Sequence, residues 1–216
     1  MQITERRGSL IVFEGVAWTG KTAQAKSLVN FLAGKGIKAQ YMDLPDMSLA
    51  SGKDILAYMR NEKALTDEEI FQLTAENRGS SAGKIKYLMR AGITVVVEHY
   101  SYCGIVHATA TGDPKLTYEH CCAVEHALPV PDLVIYMYPG QKGMSRYNEV
   151  KTTNSQSGNN YIGRALALYA HLHGRDSPWV TINNDQEVDL NNTLIRDVSL
   201  QVCEAEKSKD IYDIFW

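Results

Sequence analysis

Residues 15–22 of this 216-residue chain read Gly15-Val16-Ala17-Trp18-Thr19-Gly20-Lys21-Thr22 and match the pattern G-x-x-x-x-G-K-S/T without a gap. An apolar run, Leu10–Glu14, precedes the motif, and a segment with a helical apolar stripe, 22–33, follows it. A phosphate-binding loop needs this placement, because its glycines turn backbone N–H groups inward and the following helix adds the positive end of its dipole. The motif therefore predicts a phosphate-binding loop, or P-loop.

The motif also predicts individual roles. We expect Lys21 to reach the β- and γ-phosphates of a bound nucleotide and the Thr22 hydroxyl to ligate Mg²⁺. The remaining nucleotide contacts are expected at Gly15, Val16, Ala17, Trp18, Thr19, Gly20 and Ala23. The alternative is a chance match in a surface loop, which the correct strand before the motif and helix after it argue against.

Strand-like and helix-like segments alternate along the rest of the chain. Further apolar runs lie at 93–97, 131–137 and 179–182, and a weaker candidate strand lies at 38–43. Their near-continuous apolar character is typical of parallel strands covered by helices on both faces. Thr66 and Glu69 form a capping-box pattern that predicts the start of a long helix. The sequence therefore predicts an α/β fold, a P-loop NTPase three-layer sandwich with a central five-stranded parallel sheet, as one domain over residues 1–216.

Composition excludes several classes of protein. The chain is 44% hydrophobic and 22% charged with a net charge of −3, which argues against disorder and against a nucleic-acid-binding surface. No apolar run approaches the roughly 18 residues of a membrane span, and no signal-peptide stretch follows the amino terminus. The four cysteines, of which Cys121 and Cys122 are adjacent, show no disulfide or metal-ligand pattern. We therefore expect a reduced, cytoplasmic protein without nucleic-acid or membrane partners.

Several segments beyond the loop follow one another in an order that resembles the thymidylate kinase family. Only the P-loop is specific by itself, and the others gain weight from their order and spacing, which run from about Ser9 to the final helix. These segments are Phe13-Glu14-Gly15-Val16 with Gln24, Leu44-Pro45-Asp46 with Gly52-Lys53, Glu76-Asn77-Arg78, Val97-Glu98-His99-Tyr100 with Gly104, Pro131-Asp132-Leu133-Val134 and Arg164-Ala165-Leu166.

The resemblance implies an enzyme that transfers the γ-phosphate of ATP to dTMP to give dTDP, with Mg²⁺ and as a homodimer. It places acceptor-site segments at about 44–53, 71–78 and 98–107 and a lid at about 146–160. The implied substrate contacts are Pro45, Phe71, Thr74, Arg78, His99, Tyr100, Gly104 and His107. The implied catalytic residues are Lys21, Glu98, Arg146 and Arg164, with Thr22 and Glu98 as the metal ligands.

The chain departs from the family pattern mainly on the acceptor side. Met47 stands where the family has a phosphate-binding arginine, and Glu98-His99 replaces an Asp-Arg pair. Ala17 replaces an acidic residue near the sugar, and Thr74 aligns with the aromatic residue that stacks on thymine. A charge-assisted contact to phosphate contributes about 1.5–3 kcal/mol, so two lost arginines would weaken acceptor binding by orders of magnitude unless other groups replace them.

These departures leave three functional hypotheses. The first is dTMP kinase activity, with His99, Arg78 and Lys53 as candidate partners for the acceptor. The second is a kinase for another pyrimidine deoxynucleotide or for a deoxynucleoside, which would explain the missing arginines. The third is a catalytically inactive nucleotide-binding regulatory protein, although the retained Lys21 and Thr22 argue against it.

Overall fold

The structure, a computed structural model, describes residues 6–125, 128–145, 160–208 and 210–214. Its centre is a sheet of five parallel strands in the order β2-β3-β1-β4-β5. The strands are β1 (Leu10–Glu14), β2 (Ala39–Asp43), β3 (Thr94–Glu98), β4 (Leu133–Tyr138) and β5 (Trp179–Asn183). Each lies at, or within two residues of, an apolar run or candidate strand in the sequence, so the predicted parallel sheet is confirmed.

Helices cover both faces of the sheet. They are α1 (Lys21–Gly34), α2 (Ala50–Met59), α3 (Asp67–Arg90), α4 (Ser101–Thr111), α5 (Tyr118–Val124), α6 (Tyr161–Leu172) and α7 (Val188–Glu204), and residues 140–145 are also helical. None of the helices in the described parts of the chain combines the length and the apolar character needed to cross a membrane.

Two apolar clusters fill the spaces between the layers. On one face, Ile11 and Phe13 of β1 pack with Leu28 of α1 and Ile195 of α7. On the other face, Leu10 and Val12 of the same strand pack with residues of α3, α4 and α6, which include Ile85, Val106 and Tyr169. Successive β1 side chains enter opposite layers because side chains of a strand alternate between its two faces. The predicted three-layer arrangement is thereby confirmed.

Helix α3 shows how local signals and tertiary packing combine. Thr66 accepts a hydrogen bond from the Glu69 amide and the Glu69 carboxylate accepts one from the Thr66 amide, which is the predicted capping box. The helix runs for 24 residues without a break through Gly79 and Gly83, the positions that weaken its helical propensity. Its inner face is buried against the sheet, and this burial outweighs the weak propensity of its middle.

The carboxyl ends of three neighbouring strands place polar side chains along one edge of the sheet. Glu14 ends β1, Asp43 ends β2 and Glu98 ends β3, with Asp43 beside Glu98 in the parallel register. Ligands of open α/β sheets bind at this edge, where the chain order along the sheet reverses. The candidate site is built on these three strand ends.

Candidate active site

The P-loop has the backbone shape that its motif predicts. Gly15 has φ 134°, and a Cβ atom there would lie 2.5 Å from the carbonyl oxygen of Met137, so a side chain has no room. Gly20 adopts a left-handed conformation directly before α1. The Lys21 side chain is almost fully buried, and its Nζ donates to the carbonyl oxygen of Val16 at 2.9 Å. The lysine ammonium therefore lies inside the turn that the glycines form.

The two predicted metal ligands lie together. The Thr22 hydroxyl donates to Glu98 Oε2 at 3.0 Å, and the other carboxylate oxygen accepts from the Tyr41 hydroxyl. Burial, followed by the hydrogen bond to Glu98, raises the pKa of Tyr41 far above its ordinary value, so the phenol remains a donor. Tyr41 carries no motif signal, and sequence reasoning missed it. A hydroxyl and a carboxylate are the hard oxygen ligands that suit Mg²⁺.

A cavity of about 280 Å³ lies beside the P-loop. Trp18, Gly20 and Ala23 line one side of it. The other side is formed by residues that follow β5, including Gln186 and Val188. The two sides are joined by Asn184, whose Nδ2 donates to the carbonyl oxygen of Thr19 at 2.9 Å. No sequence motif marked this second wall, which only the fold brings next to the loop.

A larger cavity of about 510 Å³ opens on the other side of the strand ends. It brings together most of the predicted substrate contacts, from three segments that are distant in the sequence. The predicted residues in its wall are Pro45, Phe71, Thr74, Arg78, His99, Gly104 and His107. Further wall residues that the sequence did not single out as contacts include Asp43, Tyr58, Ile70, Cys103 and Tyr161. We refer to this space as the acceptor cavity.

Tyr100 is the predicted substrate contact that lies away from this cavity. It is fully buried, and its hydroxyl donates to the carbonyl oxygen of Pro129 at 2.7 Å. Burial raises the pKa of this phenol well above its ordinary value. The structure therefore places Tyr100 in the core, where its side chain holds the segment before β4.

Arg78 lies in the cavity wall, and its guanidinium forms an ion pair with the carboxylate of Glu125. Its Nε donates to Glu125 Oε2 at 3.0 Å and its Nη2 donates to Glu125 Oε1, while both side chains are at least 96% buried. Nη2 also lies 3.4 Å from the Thr74 hydroxyl. Glu125 lies 47 residues away from Arg78 in the chain and was not identified from the sequence.

His99 lies at the cavity next to the metal-ligand pair. It adopts a left-handed backbone conformation with φ 57°, and its Nδ1 lies 3.0 Å from Asp43 Oδ1. Burial lowers the pKa of His99, but the hydrogen bond to Asp43 and the charge interactions with Cys103 and Asp43 together outweigh burial, so the pKa is raised. Its protonated form therefore persists to higher pH than that of a free imidazole.

His107 presents a neutral ring to the same cavity. It stacks on Tyr161 with 6.0 Å between ring centroids and 18° between ring planes, and its Nδ1 is hydrogen-bonded to the Tyr161 hydroxyl. Burial lowers the pKa of His107 to about 4. At neutral pH this side chain therefore offers an aromatic surface and no positive charge.

Of the two predicted lid arginines, the structure describes one. Arg146 and most of the lid at 146–160 lie outside the described residues. Arg164 donates from Nε to the carbonyl oxygen of Ala110 at 2.8 Å and from Nη2 to that of Thr111 at 3.0 Å. These bonds cap the carboxyl end of α4. The catalytic role of both arginines remains a prediction.

Glu14 is a buried carboxyl group at the base of the site. Its two oxygens accept from the backbone N–H of Cys103 and from the Tyr169 hydroxyl, each at 3.2 Å. Burial raises its pKa to about 8. Sequence reasoning noted Glu14 only as part of the family's first strand and assigned it no role.

Comparisons with known proteins agree with this geometry. The model of the thymidylate kinase family matches residues 13–195. The chain is 31% identical to a thymidylate kinase of Arabidopsis thaliana over 219 residues, covering 97% of this chain and 78% of that protein. It is 37% identical over 146 residues to the 251L protein of Invertebrate iridescent virus 6, which carries the thymidylate kinase name, covering 68% of this chain and 67% of that protein.

A solved structure of thymidylate kinase from Candida albicans has the same fold, with a TM-score of 0.77 and 20% identity over 96% of this chain and 98% of that one. The family model therefore matches the residues that form the P-loop and line both cavities. The chain belongs to the thymidylate kinase family, a family of phosphotransferases that use ATP and act on dTMP.

Proposed function

We propose that this chain transfers the γ-phosphoryl group of ATP to dTMP and releases dTDP, with Mg²⁺ as cofactor. One observation carries the proposal at the level of residues. The hydrogen bond between Thr22 and Glu98 joins the helix after the P-loop to the strand that ends at the acceptor cavity. The donor phosphates and the acceptor would therefore meet at the same strand ends.

On the donor side, Lys21 is proposed to exchange the Val16 carbonyl for phosphate oxygens when ATP binds. The loop amides of residues 15–20 would bind the phosphates, and the smaller cavity between Trp18 and Val188 would hold the adenine. Catalysis would consist of positioning and of charge neutralisation, with little covalent chemistry by the protein.

Thr22 and Glu98 would hold the Mg²⁺ ion, because their oxygen atoms lie together and are hard ligands that suit this ion. When bound, Mg²⁺ neutralises charge on the phosphates of ATP. The chain's own part is to keep Glu98 oriented, and the Tyr41 hydroxyl does this from the neighbouring strand.

On the acceptor side, Phe71 and the stacked His107 provide flat surfaces for a pyrimidine ring. His99, with Asp43 beside it, is proposed to contact the 5′-phosphate in place of the family arginine. We further propose that Arg146, in the lid, stabilises the negative charge of the transferred phosphoryl group. Arg164 could do the same only if its hydrogen bonds to the carbonyl oxygens at the end of α4 were released.

A homodimer and a cytoplasmic location complete the proposal. The family resemblance supports the homodimer, which the molar mass in light scattering after gel filtration would test. The location is supported by the cysteines, since all four are free thiols and Cys103, Cys121 and Cys122 are buried.

One observation favours a second candidate, a deoxynucleoside kinase. Among the described residues that line the acceptor cavity, the basic side chains are Arg78, His99 and His107. The first is paired with a carboxylate, and the third is neutral at pH 7. An uncharged acceptor would need fewer cations than a phosphate dianion.

A coupled assay of ATP with a panel of nucleosides and monophosphates separates these functions. We expect dTMP to be the best acceptor and Lys21→Ala to lose at least about 100-fold in kcat, since the lysine serves the transferred phosphate. Lys115→Ala, which removes an exposed lysine paired with Glu68, is the matched control. Thymidine as the best acceptor would favour the second candidate, and tight ATP binding without turnover of any acceptor would contradict both.

A further inference from the structure

We propose that Asp185 is a positioning residue for the donor nucleotide. Its carboxylate caps the helix at 140–145 from the segment that follows β5, and this contact holds together two parts of the smaller cavity beside the P-loop. Asp185 is not among the described residues that line the cavity, so it would act through those that do. The inference rests on the proposed function, which places the adenine in this cavity.

The helix at 140–145 takes its cap from a distant part of the chain. The residue before it is Pro139, whose side chain has no hydrogen-bond acceptor. Instead, Asp185 Oδ2 accepts from the Gln141 N–H at 2.7 Å, and Oδ1 accepts from the Lys142 N–H at 3.0 Å. The first N–H groups of a helix have no partner within the helix and need such an acceptor. Asp185, 44 positions after Gln141 in the chain, provides it.

Gly140 provides an independent observation of the same contact. Its φ of 60° lies in the left-handed region that favours glycine. A Cβ atom there would lie 2.5 Å from Asp185 Cγ and 2.6 Å from each carboxylate oxygen. A side chain at this position would push the carboxylate away from the amides that it caps. The backbone of the helix is therefore shaped to receive Asp185.

The capped helix and the segment after β5 contribute neighbouring parts of the cavity wall. Lys142 and Gly143 come from the helix, and Asn184 and Gln186 come from the segment. The Lys142 ammonium also donates to the backbone carbonyl oxygen of Asp185 at 3.3 Å. Three hydrogen bonds to Asp185 thus join the two parts of the wall.

The segment after β5 is also fixed to the P-loop. Asn184 Nδ2 donates to the Thr19 carbonyl oxygen at 2.9 Å, and the Asp185 N–H donates to Asn183 Oδ1 at 2.9 Å. Through Asp185, the helix at 140–145 is held in a set position relative to the loop that would bind the phosphates. The adenine and the phosphates of one ATP molecule would therefore meet surfaces that are already correctly spaced, which lowers the ordering cost of binding.

The charge of Asp185 argues against a direct contact with the nucleotide. The hydrogen bonds from the Lys142 and Gln141 amides lower its pKa, so the side chain is a carboxylate at neutral pH. A negative charge would repel the triphosphate, and both carboxylate oxygens already accept from the helix. The role of Asp185 is therefore to place Lys142 and Gly143.

The test measures the Kd of ATP by calorimetry and the KM values for ATP and dTMP. We expect Asp185→Ala to raise the Kd and the KM of ATP about 10-fold, because the helix loses its cap, and to change the KM for dTMP less than about twofold. Asp185→Asn keeps one carbonyl acceptor and should lie between wild type and Asp185→Ala. Asp189→Ala removes the same charge at an exposed position outside the described cavity wall and should bind ATP like wild type.

A second pair of variants tests the contact from the helix side. Gly140→Ala places a methyl group against the carboxylate and should weaken ATP binding at least as much as Asp185→Ala. In Gly140→Ala/Asp185→Ala the methyl group meets no carboxylate, so the double variant should bind ATP no more weakly than Gly140→Ala alone. Because Asp185 is exposed, all of its variants should keep the circular dichroism spectrum of wild type.

The outcomes are distinguishable. A selective loss of ATP affinity in Asp185→Ala, with partial recovery in Asp185→Asn and none of the loss in Asp189→Ala, supports the inference. Unchanged ATP affinity in Asp185→Ala, equal rises in both KM values, or additive losses in the double variant overturn the inference alone. A wild type that binds ATP but phosphorylates no acceptor overturns the proposed function, and the calorimetric comparison of the variants still decides the inference.

Discussion

The side-chain amide of Asn77 exchanges two hydrogen bonds with the backbone of Asp46. Nδ2 donates to the Asp46 carbonyl oxygen at 3.0 Å, and Oδ1 accepts from the Asp46 N–H at 2.6 Å. Nδ2 also donates to Ser51 Oγ at 2.8 Å, and the Asn77 side chain is fully buried. Helix α3 thereby holds the segment that carries Pro45 and Met47 into the wall of the acceptor cavity.

Asn77→Ala should loosen this wall. The change leaves the part-buried Asp46 N–H without its partner and leaves the Asp46 carbonyl oxygen with the Leu49 N–H alone, at a cost of about 1–3 kcal/mol in the free energy of unfolding. We expect the KM for dTMP to rise about 10-fold with little change in the KM for ATP. Ser48→Ala, which removes an exposed hydrogen bond to Asp46 in the same segment, is the control and should match wild type. Equal effects on both KM values would contradict a local role.

Met47→Arg should strengthen acceptor binding. Met47 lines the acceptor cavity where the family resemblance implies a phosphate-binding arginine, and the residue is 40% exposed, so the longer side chain has space. A charge-assisted contact contributes about 1.5–3 kcal/mol, so the KM for dTMP should fall about 10-fold or more. Leu190→Arg adds the same charge at an exposed site outside this cavity and should leave the KM unchanged. The prediction fails if both variants behave alike.

Glu14 should make stability depend on pH. Its pKa of about 8 in the folded protein lies above the ordinary 4.5, so the folded state keeps a proton that the unfolded chain releases. The contribution of Glu14 to the free energy of unfolding should therefore be fully present below about pH 4.5. It should be lost as the pH rises to 8. This loss, on the order of 5 kcal/mol, should be absent in Glu14→Gln.

Urea denaturation of the ligand-free protein at several pH values between 5 and 9 tests this linkage. The two unfolding free energies should diverge with increasing pH, the wild type becoming less stable relative to the variant. Parallel curves for wild type and Glu14→Gln would show that the carboxyl group titrates normally.

Gly104→Ala should damage both stability and acceptor recognition. The added Cβ would overlap Glu125 and Arg78, and overpacking of this kind costs about 1–3 kcal/mol. The KM for dTMP should rise with it, because Gly104 and Arg78 both line the acceptor cavity. Gly79→Ala is a matched helical control, since no atom lies within 4 Å of its Cβ position. It should raise the Tm slightly, because alanine favours a helix over glycine by up to about 1 kcal/mol.

The sequence predicts the parts of this protein whose signals are local. The P-loop, the strand before it and the capping box of Thr66 and Glu69 each lie within a few consecutive residues, and the structure contains all of them. Apolar runs also located β1, β3 and β4, because burial on both faces leaves such runs, whereas the edge strands β2 and β5 are only partly buried and have weaker signals.

Contacts between distant segments could not be predicted in this way. Glu125 is separated from Arg78 by 47 residues, and no spacing rule connects a helix to the segment after another helix. Tyr41 reaches Glu98 only because two strands are neighbours in the sheet. Tyr100 was expected in the site from its place beside His99, but the side chains of adjacent residues leave the backbone in different directions, and Tyr100 enters the core.

Strand β2 connects the two halves of the site. Tyr41 and Asp43 lie two residues apart on this edge strand, so they project from the same face, one to Glu98 and the other to His99. The proposed metal ligand Glu98 and the proposed phosphate contact His99 are thus both held by side chains of one edge strand. A shift of this strand would change both contacts together, so the affinities for ATP and for the acceptor would be coupled at the rim of the sheet, away from the reacting atoms.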